Sequence, residues 1–88
     1  MLLKLNLVYC AVWHYTDRAT GLVAELLNQF EPDIESITLV PSDGGRFEFS
    51  INGKLVFSKL ESHRHVESGE IAGLVRKYLN QEWFYVIK

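Results

Sequence analysis

Hydrophobic and polar residues alternate at the start of the chain and then repeat with helical spacing. From Leu2 to Tyr9 the odd positions are apolar, and Val8 adds an apolar position on the opposite face, which predicts a strand inside a sheet. The next apolar residues follow the i, i+3, i+4, i+7 spacing of an amphipathic helix: Ala19, Leu22, Val23, Leu26, Leu27 and Phe30. This helix is predicted to begin between Trp13 and Asp17 and to end before Pro32.

Three more strands are predicted in the middle of the chain. Residues 34–40 are rich in β-branched side chains, and residues 47–51 alternate cleanly between apolar and polar. Asn52-Gly53 is a strong hairpin signal that leads into a fourth strand from Lys54 to about Leu60. We expect a three-residue loop over residues 51–53, because it sets the apolar residues of the two strands opposite one another.

A second helix and an apolar tail complete the pattern. Ser68 is the predicted N-cap. The inner stripe of the helix consists of Ile71, Leu74, Val75, Tyr78 and Leu79. Residues 1–88 are predicted to form one domain, with a possible apolar tail over residues 82–88.

The β-α-β-β-β-α order predicts an α/β (α+β) fold, with a four-stranded mixed sheet and two helices mainly on one face. Two helices cover one face of such a sheet and leave the other poorly covered. We therefore expect this second face and the tail from Trp83 to Ile87 to form a surface that binds a protein partner or a second copy as a homodimer. The alternative is that the tail folds back and covers this face within one chain.

Composition and charge exclude several classes of function. The formal net charge is −2 with both signs interspersed, which favours neither nucleic acid nor a membrane surface as partner. No apolar run approaches the ~20 residues that span a bilayer, and the start of the chain lacks the pattern of a signal peptide. A single cysteine excludes an intrachain disulfide and favours a reducing, cytoplasmic compartment.

Cys10 lies where the first apolar run gives way to the helical pattern. A strand-to-helix junction places it near a helix N-terminus, where free N–H groups and the macrodipole favour an anion such as a thiolate. We therefore expect Cys10 to be partly exposed and reactive. The alternative is a buried cysteine that serves only for packing.

Histidines offer a weaker candidate for chemistry. His63 and His65 would share one face of a strand, and His14 lies near Cys10 in sequence. A closed zinc site needs four ligands, and the pair His63 and His65 is far along the chain from the pair Cys10 and His14. We expect no metal site and interpret His63 and His65 as solvated loop residues.

Several short segments in order resemble the selenoprotein W-like family, the small Rdx group related to selenoproteins T and H. The resemblance extends from Val8 to about Leu79. The segments that carry it are residues 8–10, 15, 18–19, 39–48, 52–59 and 69–71. The two longest are Leu39-Val40-Pro41-Ser42-Asp43-Gly44-Gly45-Arg46-Phe47-Glu48 and Asn52-Gly53-Lys54-Leu55-Val56-Phe57-Ser58-Lys59. One such segment alone would be a weak signal, but all of them together, in this order in so short a chain, are specific.

The resemblance implies a thioredoxin-like fold and thiol redox chemistry, often linked to glutathione and without a bound cofactor. The family centre is C-x-x-C or C-x-x-selenocysteine after the first strand, so Cys10 matches its first position and Trp13 occupies its second. Gly44 and Gly45 would let the backbone approach glutathione or a protein thiol partner near Cys10, or serve only a loop that needs positive φ. Tyr15 would join Trp13 in a partner-docking surface.

Trp13 leaves the function open between two classes. A tryptophan at this position has three explanations. The second redox residue was lost naturally, it was replaced by engineering, or a UGA selenocysteine codon was rendered as tryptophan, since UGA and UGG differ by one base. The leading prediction is a glutathione-linked oxidoreductase in which Cys10 is the redox thiol. The alternative is a redox-inactive interaction module of the same fold.

Overall fold

Strands and helices follow the predicted order in this computed structural model, which describes the backbone of residues 2–87 and the side chains of residues 2–80. The elements are β1 (Leu3–Cys10), α1 (Thr16–Phe30), a 3-10 turn (Glu31–Asp33), β2 (Ile34–Ser42), β3 (Phe47–Ile51), β4 (Lys54–Ser58), α2 (Lys59–Ser62) and α3 (Glu70–Ile87). The start and end of α1 confirm the prediction. The short helix α2 was not predicted.

The four strands form one mixed sheet in the order β2-β1-β3-β4. β1 is parallel to β2 and antiparallel to β3, and β3 is antiparallel to β4. β1, β2 and β4 therefore point in the same direction and end at the same edge of the sheet. Cys10, Ser42 and Ser58, their last residues, define what we call the thiol edge.

The core lies between one face of the sheet and helices α1 and α3. The apolar positions of β1 and β3 are buried there, together with the inner stripes of the two helices. Its largest fully buried side chains are Leu3, Leu5, Leu7, Leu26, Phe47, Phe49, Ile51, Ile71 and Val75. Both helices thus cover the same face, as the pattern of apolar residues predicted.

The second sheet face is more polar than expected. The paired positions Asn6, Thr38 and Ser50 lie side by side across three strands, and the next row contains Val8 and Val40. Leu55, which pairs with Ser50, and Val40 are the strongly exposed apolar side chains of these two rows. Polar side chains therefore lie between the exposed apolar ones on this face.

Helix α3 continues through the segment that sequence analysis left as an apolar tail. Its backbone is helical from Glu70 to Ile87. The side chains of residues 83–87, on which the expected interface depends, lie outside the described residues. Within the described part of the chain, no helix combines the length and the apolar character needed to cross a membrane.

The hairpin between β3 and β4 brings apolar residues together, but not the pair that the predicted loop gives, which is Phe49 with Leu55. Ile51 pairs with Lys54, so the loop contains only Asn52 and Gly53, both with positive φ. A register shift between Phe49 and Ser50 then restores the apolar pairing, which sets Phe49 opposite Phe57. The predicted three-residue loop is wrong, because a bulge inside the hairpin corrects the register instead of the turn.

Strand ends also differ from the prediction for identifiable reasons. β2 continues past Val40 through Pro41, which an edge strand tolerates because its N–H side needs no partner. β4 stops at Ser58 instead of Leu60 because that serine caps α2, accepting a hydrogen bond from the Glu61 N–H at 3.0 Å.

The start of α3 is fixed by an ion pair instead of a serine cap. Ser68 is not the N-cap, since Gly69 accepts the first helical hydrogen bond, from Gly73 at 3.0 Å. The Glu70 carboxylate accepts hydrogen bonds from two guanidinium nitrogens of Arg64, at 2.8 and 2.7 Å, and from the Glu67 N–H, at 2.9 Å. The Arg64 hydrogen bonds, and then the Glu67 N–H, lower the pKa of Glu70 from 4.5 to about 2.

Stability should therefore depend on Glu70 in acid. A carboxyl group whose pKa is lowered by folding stabilises the fold above its unfolded value and loses that contribution as the pH falls from about 4.5 toward 2. Glu70→Gln should make the fall in unfolding free energy over this range shallower, as measured by denaturant titration at several pH values. Arg64→Gln should also make the fall in unfolding free energy shallower over this range. A pH profile that neither variant changes would contradict the assignment.

Candidate functional site

The backbone around Cys10 is held from two sides at the thiol edge. The Cys10 N–H donates to the Arg46 carbonyl oxygen at 2.8 Å, and the Ala11 N–H donates to the Ser42 carbonyl oxygen at 2.9 Å. Both acceptors flank the loop that joins β2 to β3. Cys10 is therefore anchored between this loop and the loop that follows it, residues 11–15.

The Cys10 thiol is fully buried, which corrects the expectation that it is partly exposed. Helix α1 begins only at Thr16, so the intervening loop folds back over the sulfur. The Tyr15 N–H donates to the Cys10 carbonyl oxygen at 3.1 Å, and the Trp13 N–H donates to Cys10 Sγ at 3.3 Å. The residue three positions after the cysteine thus contacts the sulfur through its backbone.

The Trp13 indole lies on Gly45 and joins the two loops that flank the thiol. A Cβ atom built on Gly45 would lie only 2.5 Å from Trp13 Cζ3, so the ring occupies the space that any side chain at this position would fill. Gly45 also has a φ of +73°, and Gly44 has a φ of +69°. Gly44 faces Arg46 instead of the indole, so only the second glycine of the pair contacts a predicted site residue.

Gly45→Ala should therefore uncover Cys10, whereas Gly53→Ala should not. Both substitutions introduce a Cβ at positive φ, at a cost of about 1 kcal/mol, but nothing lies within 4 Å of a Cβ at Gly53. We expect the rate of Cys10 alkylation in the folded protein to rise only for Gly45→Ala, where the new methyl group displaces the Trp13 ring. Equal rates in the two variants would contradict this packing.

Tyr15, His65 and Lys59, which was not predicted as a site residue, extend the site toward β4. The Tyr15 ring packs edge-on against Trp13, at a centroid distance of 6.3 Å, and against His65, at 4.9 Å. Lys59 Nζ lies 5.9 Å from the centroid of the Trp13 ring and 5.7 Å from that of Tyr15. β1 and β4 run in the same direction, so Lys59, which follows β4, lies at the edge where β1 ends. This direction depends on the order of the strands in the sheet.

His65 is not the solvated loop residue that sequence analysis expected. Its Nδ1 atom is buried without a hydrogen-bond partner among the described residues, whereas His63 and His14 are exposed. Burial lowers the pKa of His65 below 6.5, and the charges of Arg18 and Lys59 act in the same direction. His65 is therefore held neutral beside Tyr15.

The described residues contain no cluster of three His, Cys, Asp or Glu side chains that could hold a metal ion. The predicted residues that the structure brings together are Cys10, Trp13, Tyr15 and Gly45. Chemically this arrangement offers one buried thiol that accepts a backbone hydrogen bond, together with an aromatic and cationic surface beside it.

The sheet order, the two helices on one face and the cysteine at the end of β1 define a thioredoxin-like fold. The chain belongs to the Rdx family, whose model matches residues 4–77, and this family is of the thiol redox type. No curated protein is significantly similar to the chain.

Two crystal structures are similar over most of the chain. One is the selenoprotein W-related protein from Vibrio cholerae, with 28% identity and a TM-score of 0.83 over 89% of this chain and 98% of that one. The other is a protein from Bordetella parapertussis, with 26% identity and a TM-score of 0.82 over 89% of this chain and 99% of that one. These similarities confirm the family and the fold that the sequence resemblance implied.

Proposed function

We propose that the chain is a glutathione-linked thiol oxidoreductase in which Cys10 is the redox thiol. The observation that carries the proposal is the hydrogen bond from the Trp13 N–H to Cys10 Sγ at 3.3 Å. A backbone donor on the sulfur stabilises negative charge there, and the thiolate is the form of cysteine that reacts. The donor also belongs to the position of the second redox residue in the family centre.

The proposed cycle uses two molecules of glutathione because position 13 supplies no second thiol. The Cys10 thiolate attacks a peroxide, so that the O–O bond breaks, the sulfur becomes a sulfenic acid and the peroxide leaves as an alcohol or water. One glutathione condenses with the sulfenic acid to give a mixed disulfide and water. A second glutathione attacks this disulfide, which releases oxidised glutathione and regenerates the Cys10 thiol.

Access to the thiol is the structural requirement of this cycle. Cys10 is fully buried, so residues 11–15 must move before glutathione or a peroxide reaches the sulfur. A reducing compartment such as the cytoplasm would supply the glutathione.

Turnover of glutathione tests the proposal. Oxidised glutathione formed from peroxide is measured with the unchanged protein and with Cys10→Ser, whose fold is checked by circular dichroism. We expect peroxide-dependent oxidation above the uncatalysed rate for the unchanged protein and none above it for Cys10→Ser. Equal rates for the two proteins would overturn the assignment of Cys10.

A second candidate function rests on the same loop. Val12 is 66% exposed and Trp13 is 56% exposed, while the thiol beneath them is buried. These observations favour an interaction module that binds a protein partner, or a second copy, through the loop and does no redox chemistry. This second function predicts a complex with a partner whose affinity Trp13→Ala lowers and Cys10→Ser leaves unchanged.

A further inference from the structure

Lys59 is held at the thiol edge by its backbone, while its side chain reaches toward the loop over Cys10. The Lys59 N–H donates to a Glu48 carboxylate oxygen at 2.8 Å, directly after the end of β4. From there its ammonium group reaches the rings of Trp13 and Tyr15, with centroid distances of 5.9 and 5.7 Å. A cation thus lies beside the loop that a substrate of Cys10 must approach.

Nearby carboxylates are already engaged by other groups. Glu48 accepts the Ser58 hydroxyl and the backbone N–H groups that follow it, and Asp43 forms an ion pair with Arg46 at 2.9 Å. Lys59 itself forms no ion pair with any residue whose side chain is described. Although the net charge of the chain is −2, the Lys59 ammonium group is therefore available to an anionic partner.

Arg18 is a second cation whose charge acts on His65. Burial keeps the His65 imidazole neutral, and the charges of Arg18 and Lys59 act in the same direction. The neutral histidine therefore adds aromatic surface without adding charge. A partner that meets this surface finds aromatic rings together with positive charge, which is complementary to an anionic group.

We propose that Lys59 is a positioning residue that selects anionic disulfides and anionic thiols as partners of Cys10. The inference rests on the proposed redox function of Cys10 and adds the class of partner and the residue that recognises it. The charge of the partner is held by the Lys59 ammonium group while its sulfur is presented to the thiolate.

The exchange step shows where this charge acts. The Cys10 thiolate attacks one sulfur of a disulfide, an S–S bond forms as the original S–S bond breaks, and the second sulfur leaves as a thiolate. Cys10 is oxidised to the mixed disulfide and the leaving half is reduced. An ammonium group beside the loop attracts an anionic disulfide and also stabilises the departing thiolate.

Two aromatic disulfides of different charge separate this role from a structural one. 5,5′-Dithiobis(2-nitrobenzoate) is a dianion and 4,4′-dithiodipyridine is neutral at pH 7, and both release a coloured product on reaction with a thiol. Their rates with the folded protein are compared for the unchanged chain, Lys59→Gln, Lys59→Arg and Lys54→Gln. Lys54 is the matched control because it lies at the opposite end of β4.

We expect Lys59→Gln to lower the ratio of the anionic rate to the neutral rate by roughly fivefold at low salt, with less effect at high salt. Lys59→Arg should retain the ratio, and Lys54→Gln should leave it unchanged. A loss of cation–π packing alone would change both rates together, so an unchanged ratio in Lys59→Gln would overturn the inference. Failure of both probes to modify the unchanged folded protein would overturn the proposed redox function as well.

Discussion

Replacing Trp13 by cysteine is expected to give a chain that forms an intramolecular disulfide with Cys10 on mild oxidation. A disulfide requires Cα atoms about 4.4–6.8 Å apart. The Trp13 N–H lies 3.3 Å from Cys10 Sγ, so the backbone of position 13 is already beside the sulfur. Oxidation should remove two hydrogen atoms in the intact mass and abolish both free thiols, and a dithiol reductant should restore them.

Val12→Cys is the matched control for this variant. Position 12 lies in the same loop but is 66% exposed. Among the described residues, the backbone hydrogen bond to Cys10 Sγ comes from Trp13 and not from Val12. Under the same oxidation it should give mixed or intermolecular disulfides instead of an intramolecular one. If Trp13→Cys stays reduced under these conditions, or behaves like Val12→Cys, the geometry of the loop is wrong.

Phe47→Ala is expected to lower the free energy of unfolding by about 3–5 kcal/mol, the range for removal of a fully buried phenylalanine side chain. Phe47 is 1% exposed and pairs with Tyr9 across the sheet. It also follows Arg46 directly, whose carbonyl oxygen accepts the Cys10 N–H. The cavity should therefore loosen the anchor of the thiol as well as the core.

Chemical denaturation measures the first effect, and alkylation of Cys10 in the folded protein measures the second. Phe47→Leu keeps most of the apolar volume and should be clearly less destabilising. A loss below about 1 kcal/mol for Phe47→Ala would be inconsistent with a buried ring at this position.

Periodicity was sufficient to predict the elements that bury an apolar stripe. The alternation in β1 and β3 and the helical spacing in α1 reflect packing against one core, so the sequence pattern reports them directly. Two short features of the β3–β4 hairpin, a bulge and a helix cap, were missed. The bulge that pairs Phe49 with Phe57 depends on contacts between strands that no local pattern records. The cap at Ser58 is local, since Ser58 accepts from the Glu61 N–H, and it was missed because residues 54–60 were interpreted as one strand.

The candidate site was predicted where it depends on position along the chain and missed where it depends on contact in space. Cys10 and Trp13 were found from the family motif, and Gly45 from the loop that precedes β3. Burial of the thiol was missed because helix α1 begins at Thr16, so residues 11–15 are free to fold over the sulfur. Lys59 was missed because its approach to Trp13 depends on β4 ending at the same edge as β1.

The most direct test of the central proposal is whether the folded protein forms a mixed disulfide with glutathione at Cys10. The unchanged chain and Cys10→Ser are incubated with oxidised glutathione in the absence of denaturant, and the intact masses are recorded before and after addition of reduced glutathione. The redox proposal predicts one glutathione adduct on the unchanged chain, none on Cys10→Ser, and release of the adduct by reduced glutathione. An unchanged chain that acquires an adduct only after unfolding would contradict the proposal and leave Cys10 as a packing residue.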